Sequence, residues 1–318
     1  YLESLLSGSG KDMDLQTFKV IDQLSGRMMG LRADMTPQAA RIDAHLLNSD
    51  GITRLCYANN VLHTISSGIT QTREPLQVGA ELYGHSGLES DLEIQQLMLK
   101  CLSVAGVSNI HLDLGHVAVF RSLIISAGIS SQLETELFTT LQAKDMSTLK
   151  ELCSHLQPSI RDALMLLPEL YGGDRVLTDG AKWLPDYPEI KTALNELNVI
   201  KQEMTSLVEH IAFDLADLRG YHYHTGIVFA AYVRDSSNAI ALGGRYDEIG
   251  KAFGRSRPAT GFSMDLRDLS KLVKPKPYPK AISAPFWKDN KELDAMIEQL
   301  RKVGHIVVIE LPEQKDDC

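Results

Sequence analysis

LRADMTPQAARI, residues 31–42, changes backbone habit midway. Arg27–Arg32 reads as a strand, Ala33-Asp34-Met35 as a turn, and Thr36-Pro37 as the opening of a helix that runs through Leu47. Thr36 is expected to cap that helix, since a hydroxyl there accepts from an orphan amide of the first turn. Pro37 suits the first helical position, where a missing N–H costs nothing. Downstream, Tyr57–Thr64 and Leu76–Tyr83 read as two strands. Ser66-Ser67-Gly68 between them is loop chemistry, which predicts an antiparallel pair with a long connection.

Glu89–Ala105 has an acidic start and Gly106 just past its end, the signature of a helix. Ile110–Gly115 alternates apolar and polar residues, as a half-buried strand does. From about 117 to 211 the pattern is helical throughout, with Leu194, Leu197, Ile200, Met204, Leu207 and Ile211 at steps of three and four. That block predicts an inserted helical subdomain. Strands return at Ile227–Val233, Ala239–Leu242 and Gly261–Met264, with helices over Tyr246–Phe253 and Leu266–Val273. Gly243-Gly244-Arg245 reads as a tight turn into the Tyr246 helix, in preference to a phosphate cradle, because no lysine or Gly-x-Gly-x-x-Gly pattern accompanies it. Residues 274–279 form a proline-rich linker. A strand (Ala281–Ala284), a helix (Glu292–Val303) and a strand (Ile306–Glu310) follow it. Strands joined by hairpin-like loops, with helices on one side, indicate an α+β fold on an antiparallel sheet.

The 318 residues carry a net charge of −9, with 44% hydrophobic and 23% charged residues. The acidic balance argues against a long nucleic-acid backbone as partner. No apolar run approaches the roughly 18–20 residues that span a membrane. Cys56, Cys101, Cys153 and Cys318 stand far apart without metal-ligand spacing, which reads as free thiols of a reducing cytoplasm. His222-x-His224 invites a metal reading, since alternate residues share one face of a strand. No third ligand stands near, so packed or hydrogen-bonded histidines and no metal site are expected.

Four segments together resemble the catalytic domain of class II histidyl-tRNA synthetases: LRADMTPQAARI (31–42), REPLQVGAELYG (73–84), LRGYHYHTGIVF (218–229) and GGRYDEIGKAFGRSRPATGF (243–262). Their order and spacing agree, and the similarity covers most of residues 1–270. The resemblance implies a class II synthetase-like antiparallel sheet flanked by helices over 1–273, with a helical insertion at about 117–211. A small C-terminal α/β segment over 280–318 follows the linker.

By the same resemblance, the histidine pocket is largely kept. Asp34 stands where the family's Arg-Pro-Glu-x-Thr turn receives the substrate amino group, one methylene shorter, with Thr36 beside it. Gln77 and Glu81 match two substrate contacts on the second strand of the pair, and a carboxylate there holds an imidazole N–H by a charge-assisted bond. Arg219 and Tyr223 fall in the segment matching Arg-Gly-Leu-Asp-Tyr-Tyr, with Arg219 implied to meet the ligand carboxylate. Taken alone, Arg219 reads equally well as half of a buried ion pair, and Gln77 and Glu81 as ordinary polar residues of a sheet face.

The ATP side departs from the family. His63 occupies the register of the motif 2 arginine. Asp265 and Asp268 stand for the glycine and the arginine of motif 3, and Arg267 sits one residue early. Two carboxylates repel a triphosphate, and a bidentate donor is gone. These departures resemble the regulatory subunits of the short-form ATP phosphoribosyltransferase, as do Tyr-His-Tyr-His-Thr-Gly (221–226) and Ala-Thr-Gly-Phe-Ser-Met-Asp-Leu-Arg (259–267). That resemblance implies a non-catalytic chain without a cofactor. It would activate a separate short catalytic subunit in the first step of histidine biosynthesis and help to transmit feedback by histidine. It also implies a self-dimer within a hetero-octamer, in which Tyr1–Leu6 would be the tail of the motif 1 dimer interface. An active class II ligase and an orphan histidine sensor are the alternatives.

Overall fold

A computed structural model describes residues 11–65, 72–234, 236–274 and 279–312. The motif 1 tail at Tyr1–Leu6, the Ser66–Gly68 loop, most of the linker and Cys318 lie outside the described residues. The chain divides at Val273 and Lys274 into two compact units.

The larger unit is built on an eight-stranded sheet. Its strands are β3 (Thr53–Asn60), β4 (Leu76–Tyr83), β5 (His111–His116), β6 (Tyr171–Gly172), β7 (His210–Asp214), β8 (Ile227–Tyr232), β9 (Ala241–Arg245) and β10 (Ala259–Asp265), in the spatial order β3-β4-β10-β9-β8-β5-β7-β6. Every pairing is antiparallel except β5 with β7. A short hairpin, β1 (Lys19–Ile21) with β2 (Met28–Gly30), stands apart from that sheet, after helix α1 (Lys11–Gln16).

The quoted segment makes its turn one residue differently from expectation. Met35 is the cap residue of helix α2 (Thr36–Ile42) and gives no side-chain cap bond. Asp34 serves instead, accepting from the Thr36 amide at 3.2 Å. Thr36 is already helical, and its hydroxyl turns to Tyr57 Oη, 3.4 Å away. The helix continues as a π-helical turn, Asp43–Leu47, and stops at left-handed Asn48 (φ 43°). Helix α3 (Leu88–Ala105) ends on left-handed Gly106 (φ 91°) as the sequence predicts.

The run expected to be helical throughout carries two strands. Helices α4 (Val117–Ser126), α5 (Ser131–Gln142), α6 (Met146–Leu152), α7 (Pro158–Leu166), α8 (Arg175–Trp183) and α9 (Pro188–Met204) lie between β5 and β7, with β6 among them. The apolar stripe of α9 stops at Met204. Ile211 belongs to β7, and Leu207 is exposed. Three-and-four spacing across Met204, Leu207 and Ile211 bridges a helix end and a strand, which periodicity cannot distinguish from one longer helix. Phe120, Leu137, Leu164 and Leu197 of these helices pack in one continuous core with Leu112, Phe213 and Phe229 of the sheet.

Gly243 and Gly244 lie inside β9, so neither the turn nor the phosphate cradle forms. They are glycine because a Cβ would overlap the Phe229 ring at 243 and the His224 ring at 244. The helix expected from Tyr246 is a 3₁₀ segment, Ile249–Phe253, closed by left-handed Gly254. After β10 comes helix α10 (Leu266–Leu272), capped by Asp265. In the smaller unit, β11 (Ile282–Ala284) and β12 (Val307–Ile309) run parallel, joined through helix α11 (Lys291–Lys302), over a core of Ala284, Ile297 and Val307.

Candidate functional site

Glu81 stands near the end of β4, opposite Gly261 of β10 and Leu55 of β3. It is 1% exposed. Its Oε1 accepts from Tyr57 Oη at 3.1 Å, and its Oε2 is buried without a partner. Burial pushes its carboxyl well above the usual range, and the charge of Asp34 adds to that. The hydroxyls of Thr36 and Tyr57 hold it down in part. A methyl group at position 261 would overlap both Glu81 Oε2 and Tyr246 Oη. Glycine there leaves room for both groups, and Gly261 and Tyr246 line a cavity of about 310 Å³, with Glu81 behind Gly261 and not itself on the wall.

Asp34, Thr36, Arg219, Tyr223, Tyr246 and Gly261 line that cavity, and Phe138 of α5 and Phe229 of β8 supply apolar wall. Tyr223 Oη and Tyr246 Oη are also buried without partners. An unmet buried hydrogen-bonding group costs about 1–3 kcal/mol. Several around one cavity mark a site built for an occupant that supplies the missing partners.

The sequence-derived site residues do not all meet. Asp34, Thr36, Arg219 and Tyr223 share the cavity wall, and Glu81 lies just behind Gly261. Gln77 is instead a brace. Its Oε1 accepts from Met35 N at 2.8 Å and its Nε2 donates to Asp34 Oδ1 at 2.8 Å. It thereby holds the Asp34–Thr36 turn against β4. Arg219 is half of an ion pair, as its residue type alone allowed. Its Nε donates to Asp217 at 2.9 and 3.0 Å, and its Nη1 to Tyr232 Oη at 2.8 Å.

His222 and His224 lie on a turn and not on one face of a strand. Left-handed Gly220 (φ 63°) starts that turn, and its carbonyl accepts from the amides of Tyr223 and His224. Burial pushes the His224 imidazole down to about 4, so it is neutral, and its Nδ1 lies 3.2 Å from the Arg219 carbonyl. His222 packs on Phe138 at 5.0 Å. Among the described residues no metal-binding cluster occurs.

A second cavity of about 250 Å³ adjoins the first, the two sharing Met13, Asp34, Leu242 and Ser263. Gln77, His63, Asp265 and Asp268 are on its wall, and none of its described lining residues is a lysine or arginine. His63 Nε2 lies 2.8 Å from the Ala33 carbonyl. Asp265 accepts from the Leu76 and Arg267 amides, each at 3.0 Å, and Asp268 pairs with Lys271 at 2.7 Å. Arg267 turns away to Glu74 at 3.4 Å.

Residues 1–269 match the family model described as histidyl-tRNA synthetase, and residues 279–318 match that of the ATP phosphoribosyltransferase subunit HisZ C-terminal domain. An ATP phosphoribosyltransferase regulatory subunit of Nitrosospira multiformis is 65% identical over 322 residues, covering 100% of this chain and 82% of the relative. The chain belongs to the ATP phosphoribosyltransferase regulatory subunits. A further member, from Nitrosomonas europaea, is 61% identical over 99% of this chain and 82% of its own. Among solved structures, an ATP phosphoribosyltransferase regulatory subunit/histidyl-tRNA synthetase from Bacillus halodurans superposes with a TM-score of 0.82 at 29% identity, over 100% of this chain and 83% of that one. A histidyl-tRNA synthetase from Nostoc shares the fold, with a TM-score of 0.74 at 19% identity over 99% and 77%.

Within this regulatory-subunit family the fold is that of a class II synthetase, with the histidyl-tRNA synthetase match ending four residues before the division between the two units. No helix among the described residues is long and apolar enough to cross a membrane. Sequence reasoning missed Tyr246 and Gly261 as cavity residues. The signal for Gly261 is its strand register: only the antiparallel pairing of β10 with β4 sets a residue without a side chain beside Glu81.

Proposed function

We propose that this chain activates a separate short catalytic subunit of ATP phosphoribosyltransferase in the cytoplasm, without nucleic acid as partner, and that histidine in the first cavity transmits feedback. The observation that carries the histidine site is the buried, unpartnered Glu81 Oε2 directly behind Gly261 of a cavity that Asp34, Thr36, Arg219 and Tyr223 also line. A carboxylate there suits an imidazole N–H, and Asp34 suits an amino group. Gln77 supports the site by bracing Asp34. Calorimetry with histidine tests this part, and absence of binding removes the cavity from the feedback path. Copurification with the short catalytic subunit, then turnover with and without this chain, tests the partnership.

Adenylation is lost on this proposal, because the second cavity offers aspartates where a triphosphate needs cations. Activation then works through an interface by favouring one state of the partner. Couplings between sites are typically ~1–3 kcal/mol, so activation and inhibition of roughly 5–150-fold need no shared active site. The double variant His63→Arg with Asp268→Arg is expected to leave partner activation within about twofold, far below the size of such a coupling. A large loss of turnover in the intact complex would mean that the old ATP site takes part. Pyrophosphate exchange with ATP and histidine is expected to be absent, and robust exchange would restore the ligase alternative.

The chain is also expected to dimerise, within a hetero-octamer, since two-fold dimers are the commonest assembly. Sedimentation of the isolated chain should show a dimer at micromolar concentration. A monomer alone would contradict it.

A further inference from the structure

Arg219 is the one lysine or arginine among the described residues on the wall of the first cavity, and its charge is already engaged. Its Nε and Nη2 both donate to Asp217, whose side chain is 9% exposed. Its Nη1 donates to Tyr232 Oη. Burial works against the guanidinium's charge, and Asp217 outweighs it. Two further carboxylates, Asp113 of β5 and Asp214 of β7, are close enough to interact with Arg219 and with Asp217. Burial raises both of them. Lys144 also acts on Asp214, with its ammonium 5.0 Å from the centre of the Tyr171 ring.

Asp217 therefore engages the guanidinium directly, and Asp113 and Asp214 add negative charge at longer range. A ligand carboxylate brought to Arg219 would meet two remaining N–H groups set in a negative field, and the field opposes the contact. Elsewhere on the wall Asp34, with Glu81 behind Gly261, accepts hydrogen bonds and favours positive charge, while the hydroxyls of Thr36, Tyr223 and Tyr246 bring no cation to a carboxylate. His224 is neutral and adds no cation.

We infer that Asp217 makes this cavity indifferent to a carboxylate on its ligand, so that it takes imidazole-bearing primary amines as a class, with histidine one member. The inference rests on the proposed histidine site and narrows it. Asp217 sets the specificity by neutralising Arg219, and the amine and imidazole ends supply the recognition.

Calorimetry on the full chain with histidine, histidinol and imidazolepropionate tests it. Histidinol, which carries an alcohol for the carboxylate, is expected to bind within about threefold of histidine or more tightly. Imidazolepropionate, which lacks the amine, is expected to bind at least about tenfold more weakly than either. Asp217→Asn should release Arg219 and shift the preference toward histidine over histidinol by about tenfold. Histidine binding with histidinol more than about tenfold weaker would overturn the inference and leave the histidine site standing. An unchanged preference in folded Asp217→Asn would remove Asp217 from the role. Should that variant not fold, the ligand series on the unaltered chain decides alone. Binding of none of the three would overturn the histidine site, and this inference with it.

Discussion

Glu81→Gln is expected to weaken histidine binding by about 10–100-fold while making the ligand-free chain more stable at neutral pH. The binding loss follows from replacing a carboxyl, which can ionise against the imidazole, with an amide that cannot. Hydrogen bonds to charged groups contribute about 1.5–3 kcal/mol, and each 1.4 kcal/mol is a factor of ten. The stability gain follows from burial. In the unfolded chain this glutamate loses its proton near 4.5, and in the folded chain it keeps the proton to a higher pH. Above 4.5 the folded state thus binds more protons than the unfolded state, so stability falls as pH rises, until pH passes the raised folded value. Glutamine does not titrate and removes that slope. Urea unfolding should show the variant gaining over the unaltered chain as pH rises from 4 to neutral, with the two converging at pH 4. An unchanged histidine affinity would sink the site. A stability difference independent of pH would mean that Glu81 titrates as an ordinary carboxyl.

Arg245→Ala is expected to cost about 3–5 kcal/mol of folding stability, because it leaves a buried carboxylate without its counter-charge. Asp91 on α3 is 2% exposed, and Arg245 at the end of β9 is 8% exposed. Arg245 donates to Asp91 Oδ2 at 2.7 and 3.0 Å. It also donates to Ser90 Oγ at 2.8 Å, to the carbonyls of His85 and Gly87, and to Asp247 at 3.2 Å. Burial raises the Asp91 carboxyl even with the guanidinium opposing it, so the pair balances a desolvation cost. Asp247 carries the network onward, accepting from the Ala259 amide at 2.9 Å. The guanidinium therefore ties the start of α3 to β9 and, through Asp247, to the start of β10, and those strands hold Gly243, Gly244 and Gly261 at the cavity. Chemical denaturation measures the cost directly. The double variant Arg245→Met with Asp91→Leu should recover most of it, because a buried pair replaced on both sides leaves no lone charge. A loss below about 1 kcal/mol in Arg245→Ala would show that water reaches Asp91 and that the pair is not buried in solution.

The sequence by itself determined the strand Leu76–Tyr83 that carries Glu81, the helix over Glu89–Ala105 and the α+β class, because these rest on local rules: alternation, an acidic first turn, a left-handed glycine. The partner strand, expected at Tyr57–Thr64, lies four residues earlier at Thr53–Asn60, since long-range pairing sets which part of the run joins the sheet. Four motifs in register carried the kinship with histidyl-tRNA synthetases, and Asp268 with His63 carried the departure from them. Only the tertiary structure decided what the side chains do. Arg219 meets Asp217, with Asp113 of β5 and Asp214 of β7 adding charge from the sheet, and no spacing rule encodes that arrangement. Gln77 became a brace, and Gly261 came to stand between Glu81 and the cavity, through strand register, which is set by long-range pairing. Ile211 belonged to a strand because β5 offered a parallel edge there, a contact about a hundred residues away along the chain that local periodicity cannot sense.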